Sequence, residues 1–446
     1  MNRQISICKL TCIIILLNIT RVYGQTEWQK YDNNPVMIKD TTIQGVWEWA
    51  GIGQPSCFLE NDTFKMWYAS AGVAYVGDTI LRGRISYAFS VDGTTWVKRN
   101  PPIPVLDVGL PNTWDSRWCD TPAPLHDGTE YKLYYYGDSL SVVYSALGVA
   151  TSPDGIVWTR HPGNPVLERG ELLDWDGFWV ESPAVLYDSS TGIYSMWYTG
   201  VGYGPGKPSD LWIQIGYAYS FDGFLWHKDT VNNPVLETGD PGSWDDGWVA
   251  VPAVRSTNGL YEMWYCAAAV ADWVVDSTLD TARIGYATSQ NGIDWVKHTE
   301  PVLTNYEPPA DSGGPWAPDV LFNGYEYRMW YETSLGISYA SAPENAVFEE
   351  SARDPEYISR IAPNPFVKLT IIDYSMEKRE FVEMDIFDIT GRHIRSLVKA
   401  YQGPGCYSSA WNRRDERGKM VSCGIYLCIF RLSGKMSDIK KVIIVE

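Results

Sequence analysis

The sequence predicts an all-β protein: a five-bladed β-propeller closed by an N-terminal strand, followed by a small β-sandwich. Three observations lead there. A segment rich in strand-forming residues recurs five times at a period of about sixty residues, the mark of a repeat architecture. Each full copy holds four strand-like runs. The last copy lacks its fourth run, and a matching run stands instead near the start of the chain.

The clearest copy is WDGFWVESPAVLYDSSTGIYSMWY, from Trp175 to Tyr198. Related segments run from Trp114 to Tyr135 and from Trp244 to Tyr265, with weaker ones from Trp47 to Tyr68 and from Trp316 to Tyr331. In the third copy the four runs are VESPAVLY, IYSMWY, IQIGYAYS and LWHKD. All are rich in β-branched and aromatic residues and are bounded by turn residues. The turn before the fourth run reads SVDGTTW, SPDGIVW, SFDGFLW and SQNGIDW in successive copies, and its Gly supplies the positive φ of a tight hairpin.

Taken in order, residues 1–24 form a secretory signal. Arg3 and Lys9 give the basic start, Leu10 to Ile19 the short apolar run, and Val22-Tyr23-Gly24 the exit. The run is too short to span a bilayer, so the mature protein is expected to be secreted or held at the outer cell surface. Next comes WQKYDNNPV, Trp28 to Val36, which matches the ends of later copies such as WTRHPGNPVL and WHKDTVNNPVL. Pairing it with the last copy would close the ring and remove two exposed edges. The propeller is expected over 25–348, a linker over 349–356 and the sandwich over 357–446.

Propeller geometry puts the connections into the inner strands and the second-to-third loops on one face. Those connections carry the pairs Trp114/Trp118, Trp175/Trp179 and Trp244/Trp248, and the loops are long and unlike one another. That face is the candidate binding face, since function sits in loops on a rigid scaffold. The net charge of −18 lies in the repeats, because from Tyr357 onward 15 Lys+Arg outnumber 10 Asp+Glu. An acidic body argues against nucleic acid or polyphosphate and suits neutral sugars or a cation. The five His lack zinc spacing, and no GxSxG or P-loop occurs. Cys57, Cys119 and Cys266 fall in strands and read as core thiols. Cys406, Cys423 and Cys428 lie in the tail, where one disulfide could form.

The inner strands align on Pro55, Pro122, Pro183, Pro252 and Pro318. Two residues earlier stand Gly53, Asp120, Glu181, Ala250 and Trp316. Neighbouring positions repeat; this one does not. Symmetry broken where five strands converge is what a site on a repeat scaffold looks like, and Asp120 and Glu181 on adjacent blades could flank a glycosidic bond as an acid/base pair. The same acids could instead seat a structural cation such as calcium at the axis. Trp118, Trp179, Trp248 and Trp316 flank the mouth and could stack on sugar rings or pack between blades. Trp67, Trp197, Trp264 and Trp330 are expected in the core.

The repeat, WD…PAV…YxMWY…IGYAxSxDGxxW…NPVL over residues 28–341, resembles the five-bladed clan of arabinanases, xylosidases, invertases and levansucrases. In its family-43 branch the general acid is a Glu two residues before a Pro, which implies that role for Glu181 in Glu181-Ser182-Pro183. Trp316-Ala317-Pro318-Asp319 is similar to an inner-strand motif of that branch and brings Asp319 to the candidate site. The base there is an Asp directly before Pro in the first blade. This chain has Gln54, which leaves the role to Asp120 or Asp319.

The tail resembles the Ig-like C-terminal sorting domain of type IX secretion. The resemblance rests on Asn364-Pro365-Phe366, Asp388 with Thr390-Gly391-Arg392, Trp411 with Asp415 and Gly418, and Gly424-Ile425-Tyr426 before Lys440-Lys441. It implies the secretion machinery as a partner. Two functions stay open: an exported glycoside hydrolase needing no cofactor, favoured by Asp120 and Glu181, and a non-catalytic glycan-binding propeller, favoured by Gln54.

Overall fold

The computed structural model describes residues 28–40, 47–73, 80–99, 103–139, 145–204, 211–257, 259–271, 281–305, 313–343, 357–376, 378–388, 391–433 and 435–445. The expected signal and linker lie outside them, as do most of the long second-to-third loops. The described chain is almost wholly β.

Strand β1 (Gln29–Lys30) comes first. It is followed by β2 (Gly51–Glu60), β3 (Thr63–Gly72), β4 (Arg82–Ser90) and β5 (Val97–Lys98), which form the first antiparallel unit. The second unit holds β6 (Trp118–His126), β7 (Tyr131–Asp138), β8 (Ser145–Ser152), β9 (Thr159–Arg160) and β10 (Leu167–Glu168), and a parallel Gly83–Trp118 pairing of β4 with β6 joins it to the first unit in one nine-stranded sheet. The third holds β11 (Trp179–Asp188), β12 (Ile193–Tyr203), β13 (Leu211–Ser220) and β14 (Trp226–Lys228). The fourth holds β15 (Trp248–Thr257), β16 (Leu260–Ala268), β17 (Arg283–Ser289) and β18 (Val296–Lys297). The fifth has three strands of its own, β19 (Trp316–Phe322), β20 (Glu326–Thr333) and β21 (Gly336–Pro343), and β1 pairs with β21 as its fourth.

The first strands touch in succession: β2 with β6, β6 with β11, β11 with β15, β15 with β19, and β19 with β2 again. Two motif positions tie neighbouring units together. The second-strand indoles of Trp67, Trp197 and Trp330 donate at 2.7–2.9 Å to the turn carbonyls of Gly155, Gly292 and Gly93 in the following unit. Those turn glycines have φ of 74–80°, as the Asp-Gly and Asn-Gly pairs predict. Tyr134 replaces the indole in the second unit and donates to the Gly223 carbonyl at 3.0 Å. The Trp after each turn then meets the same ring edge-to-face: Trp158 on Trp67, Trp226 on Tyr134, Trp295 on Trp197 and Trp96 on Trp330. In the remaining place Trp28 packs at 85° on Trp264. Trp264 lacks an acceptor among the described residues, which include no such turn in the fifth unit.

The WD motif has a structural reading. Asp115, Asp176 and Asp245 are buried, and each accepts from a fourth-strand cation: Arg160 at 2.7 Å, Lys228 at 2.5 Å and Lys297 at 2.7 Å. Tyr135, Tyr198 and Tyr265 complete the triads through their hydroxyls. In the first unit Glu48, Lys98 and Tyr68 repeat the arrangement. These locks hold the connecting segments that lead into the inner strands.

The tail forms two sheets, β22 (Ile358–Ala362), β23 (Thr370–Met376) and β26 (Gly405–Trp411), and β24 (Glu380–Asp388), β25 (His393–Gln402), β27 (Gly424–Leu432) and β28 (Lys435–Ile444). Ile372, Tyr374, Trp411, Met384, Ile386 and Phe430 share one core between them. The opposite face of β27 is apolar too: Leu427 and Ile429 belong to one buried cluster with Ile193 and other third- and fourth-unit residues. All six described cysteines are free. The three tail cysteines, among which one disulfide was possible, are unpaired: Cys428 points into the sandwich core, while Cys406 and Cys423 lie at the surface.

Candidate active site

Proline has no N–H for the ladder, so each inner strand must leave its partner at the aligned Pro. It does so through a bulge. The register breaks at Gly53/Ser56, Asp120/Ala123, Glu181/Ala184, Ala250/Ala253 and Trp316/Asp319. The residue before each Pro takes a left-handed conformation: Gln54, Thr121, Ser182, Val251 and Ala317 all have φ of 46–51°. For β-branched Thr121 and Val251 this costs on the order of 1–3 kcal/mol, so the surrounding ring must enforce it. Such bulges re-aim side chains, here at the point where the five strands meet.

The bulges and the residues after them line an axial cavity of about 330 Å³. Asp319 and Gln54 both border it. Asp319 spans the seam between the fifth and first units, its Oδ2 accepting the Cys57 N–H at 2.7 Å. Burial pushes its carboxyl up to about 7. Gln54 acts through its backbone, donating to Glu332 Oε2 at 3.0 Å.

Asp120 and Glu181 stand at the bulges of adjacent inner strands, each keeping part of its surface accessible, and neither lines the axial cavity. Burial pushes Glu181 up to about 7. Asp120 is raised well above the usual carboxylate range, first by burial and then by Glu181, Asp138 and Glu332. Asp138 is raised by burial, against the pull of Arg117, and accepts from the Tyr136 hydroxyl at 3.3 Å.

Sequence reasoning missed Glu332, which burial also pushes up to about 7. It lies opposite Trp316 in the position taken by Ala69, Tyr136, Thr199 and Cys266 in the other units. The signal was available. The residue after the recurrent second-strand Tyr varies just as the position before the bulge does.

The four mouth tryptophans do not form one platform. Trp248 is 8% exposed and packs on Trp316 with ring centroids 5.0 Å apart, so its face is spent between units. Trp118 lies over Gly83, where a Cβ would strike its ring, with the Arg117 guanidinium 5.7 Å from the ring centre. Trp179, Trp118 and Trp316 keep part of their surface accessible. Among the described residues no three His, Cys, Asp or Glu side chains converge to hold a metal ion.

No family model matches the chain. Two uncharacterized proteins of Mycobacterium tuberculosis, from strains CDC 1551 and H37Rv, are each 30% identical to it over 200 residues. The match takes in 44% of this chain and 60% of the length of those relatives. Among solved structures, one from the GH130 family of mannoside phosphorylases, described as containing glycoside hydrolases that target β-1,2 mannosidic linkages in Candida mannan, superposes with a TM-score of 0.56 at 15% identity. It covers 73% of this chain and 96% of its own. A glycosyl hydrolase from Bacteroides ovatus gives 0.54 at 16% identity, covering 72% and 94%. The β-1,2-mannobiose phosphorylase of Listeria innocua gives 0.52 at 13%, covering 71% and 96%. The chain thus has the fold of a group of glycoside hydrolases and mannoside phosphorylases.

Proposed function

We propose that this protein is an exported glycoside hydrolase, a five-bladed β-propeller closed by Trp28 to Val36 and carrying an Ig-like sorting domain for type IX secretion. Glu181 is its general acid, in the manner of the family-43 branch, and Asp120 tunes it. The observation that carries this reading is the position of Glu181: at the bulge of an inner strand, raised to about 7, beside Asp120, in a fold that cleaves glycosidic bonds elsewhere. A carboxyl near 7 holds its proton until a leaving oxygen needs it, yet loses it readily.

The test is a polysaccharide and oligosaccharide panel with product detection, run on the wild type and on Glu181→Gln. The wild type should release sugar. The variant should lose roughly two to four orders of magnitude in turnover on unactivated substrates while keeping most of its affinity. Aryl glycosides with good leaving groups should be partly spared. Binding without release by the wild type would favour the non-catalytic glycan-binding propeller. Full rate in the variant would remove Glu181 from the mechanism.

A further inference from the structure

Hydrolysis needs a group that takes a proton from water as well as one that supplies a proton to the leaving oxygen. The first unit offers no acid at its bulge, only Gly53 and Gln54. Glu332 reaches that place from the other side of the seam. Its Oε2 accepts the Gln54 backbone N–H, and a Cβ on Gly53 would lie 2.1 Å from that oxygen. Position 53 is therefore bare because the fifth unit's carboxylate fills it. The backbone bond fixes one oxygen and leaves Oε1 without a protein donor among the described residues.

We infer that Glu332 is the general base of the reaction. Its Oε1 takes a proton from a water molecule as the water oxygen bonds to the anomeric carbon. The bond from that carbon to the leaving oxygen breaks, and Glu181 supplies the leaving oxygen with its proton. One carboxylate is neutralised as the other ionises, so charge balances. The inference rests on the reading of Glu181 as the acid, and the experiment separates the two.

Para-nitrophenyl glycosides and an unactivated polysaccharide would be tested with the full chain, its Glu181→Gln variant and two variants of Glu332. Glu332→Gln keeps an acceptor for the Gln54 N–H. It should lose about 10²–10⁴-fold in kcat on both substrates, because water must be activated whatever the leaving group. Glu181→Gln should be spared on the aryl substrate alone. In Glu332→Ala, added azide should take the place of the activated water and give a glycosyl azide, detectable by mass, which a merely structural role would not produce. Full rate in Glu332→Gln, or a loss that azide does not convert into glycosyl azide, overturns the assignment while leaving Glu181 in place. A wild type inert on every glycoside overturns the hydrolase reading and this inference with it.

Discussion

Single residues at the axis carry a pH signature. Glu181, Glu332 and Asp319 are all pushed up to about 7 by burial, from ordinary values near 4, and Asp120 is raised as well. Between those limits the folded protein binds more protons than the unfolded chain, so stability falls as pH rises. The melting temperature should therefore drop from pH 5 to pH 8. Glu181→Gln, which cannot ionise, should lessen the drop, and an unchanged slope would mean that Glu181 is not raised. Asp120 and Glu181 were legible in the sequence because the aligned prolines isolate one position on each inner strand. Glu332 was not read, because it comes from a second strand and acts in a neighbouring unit. Trp248 could not be sorted in advance: stacking on a sugar and packing on Trp316 call for the same residue type.

Among the elements, β1 is the one whose role depends on distance along the chain. It hydrogen-bonds β21 at the far end of the repeats, and Trp28 covers Trp264. Deleting Trp28 to Val36 should leave β21 an open edge, lower the melting temperature and promote aggregation. Cooperative melting at the original temperature would show that the strand is dispensable. The WD triads predict a second cost. Asp176→Ala would strand Lys228 beside the apolar packing of its unit, and breaking a buried pair in this way costs about 3–5 kcal/mol, less where the ammonium still reaches water. Denaturant unfolding measures it. The repeat, the Asp-Gly turns and the displaced fourth strand could all be read from spacing and turn chemistry. The inner-strand bulge could not, since proline forbids one hydrogen bond without saying where the chain goes next.

At the scale of the whole molecule, the tail behaves as more than an appendage. A chain ending at Pro355 should fail to reach the surface of a host with type IX secretion, and normal delivery would refute the sorting role. The same truncation should also expose Ile193 and the side chains around it that meet Leu427 and Ile429, lowering solubility. GIYLCIFRL is apolar at nearly every position, and a strand apolar on both faces has two surfaces to bury. Severing the chain at a protease site introduced at Pro355 would cut the covalent link without parting the pieces. They should co-elute on gel filtration, and the lifetime of the repeats on the tail would then be set by the dissociation rate of an apolar contact rather than by the cut.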